Sequence, residues 1–127
     1  MTSEESIYSM LAADAAVAAI VGSRIYPLRM PDDENAVLPS VVYTRVSGAR
    51  ATPMAGGATL ENPRIQVDSW ATTYAGAKAL SEAVRAALEE TGGTGLKAIL
   101  LSDSDLMDDE TGDYRVSMDF SVWHRLT

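Results

Sequence analysis

Hydrophobic positions along this chain follow two different periods, and the points where one replaces the other mark out the elements. From Ile7 the apolar residues Met10, Leu11, Val17, Ile20 and Val21 recur at three- and four-residue steps, which predicts a helical stripe. Thr2 followed by Glu5 fits a capping box at its start. Asp14 interrupts the stripe and can act as a second N-cap, which predicts two short helices instead of one. Gly22 is placed to stop the second. Residues 23–27 read as a short extended piece, and Leu28 to Pro39 reads as a loop, with Pro31, Pro39 and the acids Asp32, Asp33 and Glu34. From Ser40 to Ser47 the period falls to two, with Val42, Thr44 and Val46 alternating with Val41, Tyr43 and Arg45, the pattern of a strand. Residues 48–59 are rich in glycine, proline and small side chains and predict a flexible connection of the long-hairpin-tip type.

The sharpest change of period lies between Pro63 and Leu88. Ile65 and Val67 alternate with Arg64, Gln66 and Asp68; beyond Trp70, the residues Ala77, Leu80, Val84 and Leu88 fall on one helix face. Thr72 or Thr73 can cap that helix. A turn is expected at Thr91–Gly95, then a continuous apolar run from Leu96 to Leu101, broken only by Lys97, of the kind found in strands covered on both faces. An acidic loop is expected from Ser102 to Asp113. The last strand alternates most cleanly, with Tyr114, Val116, Met118, Phe120 and Val122 opposed to Arg115, Ser117, Asp119, Ser121 and Trp123. This order predicts one α+β domain over residues 1–127. It would hold a mostly antiparallel sheet of about four strands, with one long helix and the short N-terminal helices packed on one face.

Composition narrows the function. The net charge is −8 and the ten basic residues are scattered. Phosphate-backbone binding needs clustered Lys and Arg, so specific nucleic-acid binding is not expected. With no cysteine there are no disulfides, thiolate metal sites or cysteine nucleophiles. No apolar run is long enough to span a membrane, and the acidic N-terminus lacks the basic segment of a signal peptide, so a cytoplasmic protein, or an assembly built there, is expected. No serine lies in G-x-S-x-G, no glycine cluster continues into a phosphate loop, and the single histidine, His124, has no evident acid–base partner. No catalytic residue, metal or cofactor is expected. The competing expectation is a small cytoplasmic ligand-binding or enzymatic α+β domain, which would require a concave pocket with convergent polar groups.

Four segments, taken in order, resemble the tail terminator or tail-completion proteins of long-tailed bacteriophages and prophages: Leu11–Pro27, Leu38–Gly48, Arg64–Leu88 and Tyr114–Arg125. The resemblance implies a non-enzymatic virion protein assembled in the host cytoplasm. It implies a ring, usually of six subunits, at the head-proximal end of the tail tube. Such a ring halts tube polymerisation and meets the head-side connector, and DNA passes through it without specific binding. A different head–tail connector or minor tail protein is the nearest alternative.

Candidate functional residues then lie in loops and on outward faces. In the 49–59 segment Met54, Gly56 and Gly57 suit an arm that orders against a neighbour, with an idle flexible loop the plain alternative. Arg24, Arg45 and Arg64 are candidates for pairing with acidic loops across subunits. The six carboxylates of the 103–113 segment, among them Asp103, Asp105, Asp108, Asp109 and Glu110, are candidates for an acidic rim facing the lumen. A solvated hairpin loop is the plain alternative, and their spacing does not fit a calcium-binding EF-hand loop.

Overall fold

The computed structural model describes residues 3–28, 38–47, 50–51, 60–89, 96–107 and 112–125. The N-terminal stripe divides where Asp14 stands. Helix α1 (Ser3–Ala13) ends, and α2 (Ala15–Val21) begins with the Asp14 carboxylate accepting from the N–H groups of Ala16 and Val17, both at 3.0 Å. Gly22, at φ 60°, closes α2 by donating its N–H to the Ala18 carbonyl, a conformation that costs glycine little. The Thr2–Glu5 capping box lies partly outside the described residues.

Seven β segments follow: β1 (Ile25–Pro27), β2 (Ser40–Ser47), β3 (Arg50–Ala51), β4 (Leu60–Glu61), β5 (Arg64–Ala71), β6 (Leu96–Met107) and β7 (Tyr114–Arg125). They occupy five lanes instead of the four expected. After a bulge at Val46, Ser47 faces Arg64, and the same register carries on to Arg50 opposite Glu61 and Ala51 opposite Leu60. So β2–β3 and β4–β5 are the two arms of one long hairpin; the flexible connection expected over 48–59 contains strand at Arg50–Ala51, and residues 48–49 and 52–59 lie outside the described residues. The lane order is β1, β2–β3, β4–β5, β7, β6. Every pairing is antiparallel except β1 with β2, which is parallel.

The chain passes from β5 to β6 through α3 (Tyr74–Glu89). Both strands pair antiparallel with β7, so they run the same way with β7 inserted between them. Thr73 caps α3, its Oγ1 accepting from the Gly76 N–H at 3.0 Å. A Cβ on Gly76 would stand 2.9 Å from that oxygen, which gives a reason for glycine in the first turn. The apolar face of α3 is then laid over the sheet, with Ala77, Leu80, Val84 and Leu88 all fully buried.

Register fixes what α3 covers. Ile65 faces Phe120 and Val67 faces Met118 on β7, while Val41 and Tyr43 of β2 face Ser69 and Val67. All of these point to the helices, with Ile7 and Leu11 of α1 and Val17 and Val21 of α2 completing the same core. Ser69 also brings a hydroxyl to this surface, and its Oγ is buried with no hydrogen-bond partner.

Two expectations are corrected at β6. The 96–101 run is not covered on both faces: β6 occupies the margin of the sheet, and Ile99 and Leu101 are about half exposed. Nor does an acidic loop begin at Ser102. Strand β6 continues through Met107, with Asp103 opposite Met118 and Asp105 opposite Val116. Serine and aspartate have low strand propensity, but twelve residues of pairing partner along β7 override it.

Replacing Phe120 by Ala removes the largest fully buried side chain at the centre of this surface. A loss of about 3–5 kcal/mol is expected in urea unfolding. Ser69→Ala, which removes an unsatisfied buried hydroxyl, is expected to leave stability unchanged or raise it in the same assay.

Candidate assembly surfaces

The face of the sheet away from the helices carries a connected set of polar side chains. Asp68 points to this face from β5 yet is only 6% exposed. Its carboxylate accepts from Gln66 Nε2 at 3.1 and 3.2 Å and pairs with Arg115 at 3.5 Å. The Arg115 guanidinium in turn lies over the Trp70 ring, 5.1 Å from its centroid. Trp70 and Arg115 are direct cross-strand partners, and so are Leu106 and Arg115. Together with Met107 they line a shallow cleft of about 300 Å³. Further along, Arg64 pairs with Asp119 at 3.1 Å, and Asp119 also accepts from Ser102. Asn62 donates to Ser121 Oγ and to the Val122 carbonyl, tying the hairpin arm to β7 where β4 gives way to β5.

A second polar group joins α3 to β6. The Tyr74 hydroxyl donates to Asp105 at 2.7 Å, and Lys78 donates to the other carboxylate oxygen at 3.0 Å. Tyr74 and Lys78 are four residues apart on the helix, so both reach the same point. The Tyr74 hydrogen bond, then that of Lys78, holds the Asp105 carboxyl below the usual carboxylate range. Asp105 in turn raises the pKa of both Tyr74 and Lys78. Tyr74 also packs edge-on against Tyr114, at 5.9 Å between centroids.

The predicted site residues fall into separate places. Arg24 is half-buried and structural in its contacts, donating from Nε to the Pro39 carbonyl at 2.8 Å and from Nη2 to that of Ile20. Arg45 reaches under the sheet to Glu4 of α1 at 3.4 Å. Arg64 lies on the opposite face with Asp119. Asp103 and Asp105 lie on the helix-covered side of β6, where Asp105 is engaged by α3 and Asp103 is exposed. Met54, Gly56 and Gly57, and Asp108, Asp109 and Glu110, lie outside the described residues. Sequence reasoning missed the Asp68–Arg115–Trp70 group. Its signal was the polar parity of β5 and β7, but which residues meet depends on a register that no local pattern states.

Among the described residues, no group of three or more His, Cys, Asp or Glu could hold a metal ion, and no helix is long and apolar enough to cross a membrane. The ion pairs are spread over surfaces and margins. Among the described residues they do not converge on one enclosed site. The chain belongs to the family described as tail completion protein gp17, whose model matches residues 5–125, and so to the structural proteins of phage tails. Among solved structures it is similar to a chain from the virion of a native gene transfer agent particle. That likeness has 26% identity and a TM-score of 0.70, covering 94% of this chain and 91% of that one. No curated protein sequence matches it.

Two outcomes test these contacts. Arg115→Met leaves Asp68 buried with only Gln66 as partner, and a loss of about 1–3 kcal/mol is expected in chemical denaturation. Asp105→Asn weakens the α3–β6 clasp. Because the folded-state pKa of Asp105 is depressed, its stabilisation is present above the ordinary carboxylate range and lost as pH falls through the lowered value. The melting temperature of the variant should therefore lie below that of the wild type at pH 7, and the gap should close at acidic pH.

Proposed function

We propose that this protein is a tail terminator, a non-enzymatic virion component that closes as a six-membered ring on the head-proximal end of the tail tube. The ring blocks further addition of tube subunits and presents a surface to the head-side connector, while DNA passes through its centre. The observation that carries this reading is the tail-completion family match across nearly the whole chain. Likeness over most of its length to a chain of a phage-like virion supports it.

The mechanism is geometric. A head-to-tail contact whose rotation closes after a few copies makes a ring, and a closed ring offers no site for a next subunit. On this reading the 49–59 segment, with Met54, Gly56 and Gly57, is the arm that meets the neighbour or the tube. The acidic stretch from Asp103 through Asp108, Asp109 and Glu110 contributes negative charge to the lumen, where it discourages DNA from sticking. Asp105 contributes less, because Lys78 already stands against it. Particle assembly takes place in the host bacterial cytoplasm.

Tubes grown from purified tail tube protein, with and without this chain, provide the test. With it, elongation is expected to stop, and electron micrographs should show a ring at one tube end. Tubes that elongate equally in its presence, with nothing bound at either end, would remove this reading.

A further inference from the structure

Among the described residues, three exposed large aromatic side chains, Tyr8, Tyr74 and Trp123, lie on α1, α3 and β7, and the exposed large aliphatic side chains gather at the two margins of the sheet. Ile99, Leu101, Leu106 and Met107, at 43, 54, 42 and 54% exposure, all lie on β6. Leu28 and Val46, at 72 and 54%, lie at the opposite margin, beyond β1 and on the bulge of β2. Leu28 is also held at φ 68°, a left-handed conformation that a leucine adopts only at some cost. Between the margins the open face carries the polar Asp68, Arg115, Arg64 and Asp119 contacts.

Strand β6 is a long edge. Its twelve residues pair with β7 on one side, and among the described residues nothing pairs with the other. Edges of this length are ordinarily blunted by proline, by several lysines or by a covering loop. Here there is no proline and one lysine, Lys97; the strand does carry a bulge at Leu101 and two aspartates on its helix-covered side, Asp103 and Asp105, the second already engaged by α3. A backbone row of this kind can accept a further strand.

We infer that the β6 margin of one protomer adds to the β1–β2 margin of the next, making a continuous sheet across the subunit seam. This rests on the ring reading and deepens it. Strand directions favour the arrangement. From β2 through β5 and β7 to β6 each pairing is antiparallel, so β6 runs opposite to β2. A copy rotated about an axis along the strands therefore brings its β2 margin to β6 in antiparallel sense, which joins two ladders of the kind already present. The same contact covers both sets of exposed hydrophobics. A two-fold pairing of β6 with β6 would leave Leu28 and Val46 bare in both copies, and it would not propagate around a ring.

The two margins can be broken separately. Leu101→Arg spoils β6, and the double variant Leu28→Asp with Val46→Asp spoils the other side; all three positions are exposed, and circular dichroism verifies that each variant folds. By native mass spectrometry, free and bound to tail tubes, each variant alone is expected to lose the ring. Mixed, the two should form one-to-one dimers of about twice 13.5 kDa and nothing larger, because one intact margin of each kind remains. A wild-type ring that survives either change, or two broken variants that fail to pair, overturns the seam and leaves the ring reading standing. A wild type that is monomeric both free and on tubes overturns both.

Discussion

Everything in this molecule hangs on the register between β5 and β7. Setting Ile65 against Phe120 and Val67 against Met118 decides which side of each strand is apolar. A slip of one residue would turn one strand over relative to the other, sending Phe120 and Met118 to the open face with Asp119 under the helix, or Ile65 and Val67 to the open face with Gln66 and Asp68 under it. The helix can lie where it does only because that apolar row exists. The Asp68–Arg115 pair and the stacking of Arg115 on Trp70 are the other face of the same register. They resist the slip from the opposite side, since any other alignment would separate a buried carboxylate from its cation.

Elements whose information is local were legible in the sequence. The cap at Asp14, the stop at Gly22, the bounds of β2 and the alternation of β7 all come from side chains acting on their own stretch of backbone. The same is true of the α3 stripe through Ala77, Leu80, Val84 and Leu88. The failures are all non-local. Ser102, Asp103 and Ser104 carry no strand signal of their own and become strand because β7 stands beside them. In β2 the branched residues Val42, Thr44 and Val46 look as suited to the core as Val41 and Tyr43, and it is pairing with β5 that turns the second set inward. The parallel pairing of β1 leaves no trace in a three-residue segment.

The same distinction applies to the surfaces. That the functional residues would be found away from the core, on loops and outer positions, followed from the absence of reactive groupings. That Lys78 and Tyr74 would converge on Asp105 did not, because a helix position and a strand position twenty-seven residues apart meet only once the sheet is built. Arg24, legible as a charge, proved to be a local fastener, its guanidinium taken up by two carbonyl groups. A charge on a sequence states what a residue can do; burial and neighbours decide whether it is available.

The position of β7 has a consequence for the order of events during synthesis. This strand is the last of the described elements, yet it lies inside the sheet between β5 and β6. Until it has been made, β5 and β6 have no common partner, and the apolar face of α3 has only part of a surface to cover. The nascent chain thus carries helices and a hairpin, but no closed core, through most of translation. Its sheet is complete only when β7 pairs with both β5 and β6. The β6 margin takes its final place in the sheet only once β7 stands between it and β5.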